Sequence, residues 1–177
     1  MAIRAEDLAH FSVDEYLALA EAAPDALERT ELIDGVIYRV SPESFLHSRA
    51  ILWISKELEE RYPGRCVPGG SVRFPDASMW QPDVCVLRNG AQVAEARGSY
   101  PSIDDVGWAI EVSLTTNQRD LGIKLRRYAQ AGLPEYWVVN PEEGGWVLVH
   151  ANPVGETYRT VQRVELPGGY RDLDFED

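Results

Sequence analysis

Two carboxylates stand where a strand gives no structural reason for them. Asp83 lies in Gln81-Pro82-Asp83-Val84-Cys85-Val86-Leu87, and Glu111 lies in Gly107-Trp108-Ala109-Ile110-Glu111-Val112-Ser113. Both runs are short, apolar and rich in Val, Ile, Leu and Trp, the pattern of buried strands. Burying an ionised carboxylate without a partner costs several kcal/mol or forces a pKa shift. An acid in each of two such strands therefore calls for a shared partner. A divalent cation with oxygen ligands is the commonest one. The competing readings are a tie to Lys or Arg, or acids at strand ends facing water. If the two acids converge with no ion between them, their like charges should repel and raise at least one pKa.

The segment after Glu111 adds a third group. Thr115 to Ala129 reads as a capped helix with Leu121, Ile123, Leu125 and Ala129 on its apolar side, ending at Gly132 and Pro134. Asp120, Lys124 and Tyr128 are spaced i, i+4, i+8 and share one face. That face can lean over the two carboxylates, with Asp120 and Tyr128 orienting Lys124 or meeting substrate. An ordinary salt-bridged, solvated face has the same spacing. Arg119, Arg126 and Arg127 stand with Lys124 as a local basic cluster that could meet phosphates.

The elements that must position these groups follow from periodicity and punctuation. Ser12-Val13-Asp14-Glu15 is a capping box, and the helix it opens carries Tyr16, Leu17 and Leu19 on its apolar side. Asp34-Gly35 between Leu32-Ile33 and Val36 to Val40 predicts a hairpin. A helix runs from about Phe45 to Glu60, stopped by Pro63-Gly64. Strands follow near Ser71 to Phe74 and Asp83 to Leu87, and Asn89 to Pro101 reads as a surface loop. The Glu111 strand, the basic helix and Glu135 to Val139 make a β-α-β unit, and Trp146 to His150 with Tyr158 to Val164 closes as a hairpin. Helices and strands alternate irregularly, which favours α/β or α+β over all-β.

The same residues carry a family resemblance over nearly the whole chain. The chain resembles the Uma-type restriction endonucleases, a branch of the PD-(D/E)XK nuclease superfamily. The matching stretches are Glu31 to Ile37, Ser41-Pro42-Glu43-Ser44 with His47, Pro82-Asp83-Val84, Ile110 to Ser113, Arg119 to Ala129, and Ala131 to Val139. The resemblance implies an α/β fold with α+β mixing: a restriction-endonuclease-like core whose mixed central sheet is flanked by helices. It implies that Asp83 and Glu111 bind Mg²⁺ (or Mn²⁺), with the Val112 carbonyl completing the shell and Glu31 as a third acid nearby. The superfamily's lysine two residues after the second acid is absent, and Ser113 stands in its place. In the Uma-type branch a lysine from the following helix takes that role, which here is Lys124. DNA as partner and a homodimeric form are further implications.

Global numbers bound this loosely. The 177 residues, with 45% hydrophobic and 26% charged residues, fit one soluble domain spanning 1–177. No apolar run is long enough for a membrane span, and residues 1 to 7 lack the apolar core of a signal peptide, so a cytoplasmic location is expected. Cys66 and Cys85 form no metal-ligand spacing, and Cys85 reads as a small core residue. A net charge of −12 argues against tight non-specific nucleic-acid binding. Part of that charge sits in Asp172, Asp174, Glu176 and Asp177, where about 167–177 reads as a frayed acidic tail. His10, His47 and His150 show no HxH or HxxxH spacing; His47, early in its helix, is a candidate site residue or an ordinary structural histidine. GxSxG and GK[ST] motifs are absent. Two functions remain: a Mg²⁺-dependent endonuclease, or a non-catalytic binding or regulatory module on the same fold.

Overall fold

The computed structural model describes residues 8–40, 42–94, 96, 98–114 and 119–175, with the backbone alone at 119 and 120. The fold is mixed α/β with a mixed sheet, as expected, and the described strands form a second, smaller antiparallel sheet beside it. In chain order the strands are β1 (Thr30–Ile33), β2 (Val36–Arg39), β3 (Cys66–Pro68), β4 (Val72–Phe74), β5 (Ser78–Trp80), β6 (Val84–Leu87), β7 (Val106–Val112), β8 (Glu135–Asn140), β9 (Gly145–Val154) and β10 (Thr157–Leu166). The small sheet runs β2-β1-β5-β4 and the large one β10-β9-β8-β7-β6-β3. Among the named strands only β7 and β8 pair with each other in parallel, as a β-α-β crossover requires.

The hairpin β1–β2 turns at Asp34-Gly35, both with positive φ, 52° and 77°, as a two-residue primed turn demands. Among the described residues four α-helices complete the fold: α1 (Val13–Ala22), α2 (Pro24–Leu27), α3 (Phe45–Arg61) and α4 (Leu125–Gln130). The Ser12–Glu15 capping box opens α1 as expected. The chain before α4 is not the α-helix that the spacing predicts: Arg119–Lys124 is a π-helical turn, and Ile123 points outward, while residues 115 to 118 lie outside the described residues. Beta-strands β3 and β5, three residues each, were not foreseen.

Strand alternation splits the core in two. One face of the large sheet buries Val84, Val86, Ile110, Val112, Trp137 and Val139 against Ala50, Ile54 and Leu58 of α3. The opposite face buries Cys85, Ala109, Tyr136 and Val138 against Tyr128 and Ala129 of α4 and Phe74 and Trp80 of the small sheet. Period-2 parity therefore puts Glu111 with Ala109, on the side of α4 and the small sheet. Burial raises the Cys85 thiol to about 12, fitting an inert core residue.

Up to Phe175 the acidic C-terminal segment is docked where a frayed tail was expected, and Glu176 and Asp177 lie outside the described residues. Residues Gly169–Asp172 form a short 3₁₀ turn, and Tyr170, Leu173 and Phe175 are buried on the α3 side of the large sheet. The Phe175 ring stacks on Trp137 at 5.5 Å with an interplanar angle of 9°. Aromatic and aliphatic residues alternating with Asp172 and Asp174 let the acids face water while the apolar groups dock.

His150 on β9 is buried, and its Nε2 makes no hydrogen bond among the described residues. Burial lowers its pKa from the usual value of about 6.5. The unfolded chain then takes up the proton first. The stability held by neutral His150 is complete above about pH 6.5 and falls away as pH drops towards the lowered folded-state pKa. Urea melts at pH 7.5 and pH 5.5 should show a smaller loss for His150→Phe than for the parent. Equal losses would place the pH dependence elsewhere.

Candidate active site

Antiparallel register brings the two strand acids together. Val84 pairs with Ile110, so one step further along the ladder Asp83 falls beside Glu111. The Val112 N–H donates to Asp83 Oδ2 at 2.6 Å, fixing that carboxylate at the end of β7. Glu31 enters from the other sheet. It is buried on β1, and its Oε1 accepts from the Gln81 N–H at 3.1 Å.

Lys124, at the end of the π-helical turn, reaches between these elements. Its Nζ lies 2.8 Å from Glu111 Oε1 and 3.4 Å from Glu31 Oε1, and all three residues are buried. The Tyr128 hydroxyl, one α4 turn on, donates to the same Glu111 oxygen at 3.3 Å. Burial, then the charge of Glu111, holds the Tyr128 pKa well above 10, so it stays a neutral donor. Trp80 meets Tyr128 edge-on at 5.2 Å, and Tyr136 packs against it at 4.8 Å, which sets the phenol's direction. The shared face of Lys124 and Tyr128 is thus a buried one rather than a solvated salt-bridge stripe. The side chain of Asp120 lies outside the described residues, as does that of Arg119.

A second group forms around Asp83. His47, in the first turn of α3, places Nε2 at 3.1 Å from Asp83 Oδ2 and Nδ1 at 3.4 Å from Glu43 Oε2. The Ser44 hydroxyl caps α3 by accepting from the His47 N–H, which aims this turn at the site. Burial alone would depress the His47 imidazole. The hydrogen bond and charge of Asp83, joined by Glu43, outweigh it and lift the pKa above the ordinary value. The repulsion expected between two uncompensated acids is therefore not what the structure displays. Glu111 rests on a lysine, and Asp83 rests on a backbone N–H and a histidine.

Both groups open on one cleft of about 760 Å³. Among the described residues its wall includes Val112 and Ser113, and five acids (Glu28, Glu31, Glu43, Asp83, Glu111) against two permanent cations, Arg29 and Lys124. Neither Arg126 nor Arg127 lines it. Arg126 is exposed, and the Arg127 guanidinium pairs with Asp34 at the hairpin tip and with Asp76. Glu43 and Gln81 were not singled out from the sequence. The i, i+4 spacing of Glu43 and His47 was the available signal for the first, whereas Gln81 acts through its backbone and leaves none.

Residues 13–171 match the model of a family described as Uma2, putative restriction endonuclease. Among solved structures, a putative nuclease belonging to DUF820 from Anabaena variabilis is similar, with a TM-score of 0.64 over 89% of this chain and 86% of that chain. Identity between the two is 19%, a level at which the likeness speaks to fold. No curated protein matches the chain.

Proposed function

The chain belongs to the Uma2 family of putative restriction endonucleases, and from that premise we propose that it is a Mg²⁺-dependent endonuclease hydrolysing phosphodiester bonds of DNA. The observation that carries the reading is the convergence of Asp83, Glu111 and Lys124 on one acidic cleft. The donor set fits a hard dication: two carboxylates from adjacent strands on the wall, with the Val112 backbone between them. Asp83 and Glu111 would hold it, with the Val112 carbonyl as a third ligand and Mn²⁺ as a substitute. Such an ion, when bound, polarises a phosphate oxygen and lowers the pKa of water.

The chain's own residues do the rest. Lys124 holds a fixed positive charge at the cleft wall, ready for the negative charge that grows on a phosphate under attack. Glu31, Glu111 and Tyr128 fix the direction of that charge. Burial keeps the ammonium from solvent, so it is worth more there than in water. His47 and the Val112 N–H hold the Asp83 carboxylate in one orientation. Ser113, beside Val112, lines the wall where the superfamily lysine would stand. Arg119 and Arg126 would meet the backbone of a bound polymer, with Arg127 contributing if Asp34 and Asp76 release it.

We read residues 1–177 as one domain, working as a homodimer in the cytoplasm. Two sites would let it cut both strands, and two-fold homodimers are the commonest soluble oligomers. No described helix is long and apolar enough to cross a membrane.

The test is cleavage of supercoiled, linear and single-stranded DNA with Mg²⁺, with Mn²⁺ and with chelator. Nicked or linear product that needs the dication is the expected result. Intact substrate in every condition, with the dication bound, would favour the binding-module reading instead.

A further inference from the structure

We propose that Glu43, His47 and Asp83 form a cation site of their own, suited to a first-row transition-metal dication rather than to Mg²⁺. One ligand atom from each lies within 4.8 Å of the other two. Ligand atoms on one such ion, at about 2.0–2.2 Å from it, stand at most about 4.4 Å apart, so the three need close only slightly. The imidazole lies between the carboxylates, Nε2 at 3.1 Å from Asp83 and Nδ1 at 3.4 Å from Glu43, and the ring offers one of the two nitrogens to the ion.

Two further observations point to an ion here. His47 Nδ1 is buried and faces Glu43 Oε2 at 3.4 Å without a hydrogen bond among the described residues, so an ion could take its lone pair. The Asp83 carboxylate is also braced by the Val112 N–H at 2.6 Å, the kind of outer support that ligating carboxylates have. All three residues line the cleft, so an ion has a route in.

The chemistry sets the preference. Mg²⁺ takes oxygen ligands and keeps its water, whereas imidazole nitrogen suits the transition metals. Glu111 is no part of this group; Lys124 holds it. The site shares Asp83 with the nuclease reading and does not depend on Glu111.

The probe is Mn²⁺ alone, bound to the whole chain and read by calorimetry and by electron spin echo modulation from nitrogen. The parent should show directly coordinated nitrogen. His47→Gln should lose that signal and weaken Mn²⁺ about tenfold or more, the scale of losing one fixed metal contact, and should weaken Mg²⁺ less than Mn²⁺. Glu43→Gln should weaken Mn²⁺ and keep the nitrogen signal. Glu111→Gln should leave the signal in place. Bound Mn²⁺ without nitrogen coupling, or His47→Gln binding as the parent does, overturns the proposal. In that case loss of Mn²⁺ in Glu111→Gln would leave the nuclease reading standing, and indifference to Glu111→Gln, His47→Gln and Asp83→Asn alike would remove both.

Discussion

Asp83→Asn and Glu111→Gln are each expected to reduce cleavage to the level of a protein-free control, while each variant stays folded. Both substitutions keep shape and remove a negative oxygen from the cleft wall. The cost to the fold is small for Asp83, because Asn retains an oxygen for the Val112 N–H and loses only a charge-assisted bond to His47, about 1–2 kcal/mol. Glu111→Gln likewise leaves Lys124 its second carboxylate, Glu31. Circular dichroism melts beside the cleavage assay separate loss of chemistry from loss of structure. A folded Asp83→Asn that cuts at the parent's rate would remove Asp83 from the site.

Lys124→Met should show the largest loss of stability of any single change at the site. Its ammonium is buried against two buried carboxylates, at 2.8 and 3.4 Å. Removing one member of a buried ionic group leaves the others uncompensated, at a cost of about 3–5 kcal/mol. Methionine keeps the stem's volume, so the loss reports charge and not a cavity. Lys124→Met with Glu111→Gln should recover part of it, since one stranded charge has then gone. Urea denaturation of the two variants and the parent measures this. Where the single variant is still folded, cleavage should fall about 10²-fold or more. A Lys124→Met variant within about 1 kcal/mol of the parent would mean that the two acids find other compensation.

The parts of the fold with strong local signals were legible from sequence. The Ser12 capping box, the Asp34-Gly35 turn, the apolar stripe of α3 and the parallel crossover around Glu111 each rest on residues that dictate one backbone. Strands β3 and β5 were illegible because their three residues lack the apolar–polar alternation of Val72-Arg73-Phe74 in β4, and Pro68 closes one of them. The C-terminus misled because composition hid pattern: Tyr170, Leu173 and Phe175 dock, while the acids between them face out. At the site, Asp83, Glu111 and Lys124 stood out as polar groups in apolar or periodic runs. What spacing could not supply was their pairing. Whether Lys124 points at water or at Glu111 depends on the π-helical turn before α4, and no local signal marked that turn.

The acidity of the cleft also has a kinetic side. With five acids facing two permanent cations among the described residues, the metal-free wall presents a negative field to any polyanion that approaches. A bound dication would offset most of that field at the point where the acids are densest. On the endonuclease reading, the ion would then enter first and the polymer second. Monovalent salt acts on the two steps in opposite senses: it screens the attraction that draws in the ion and the repulsion that keeps the polymer away. Polymer association with the metal-free protein should thus tighten as salt rises, against the usual trend for proteins that grip phosphates with a basic surface.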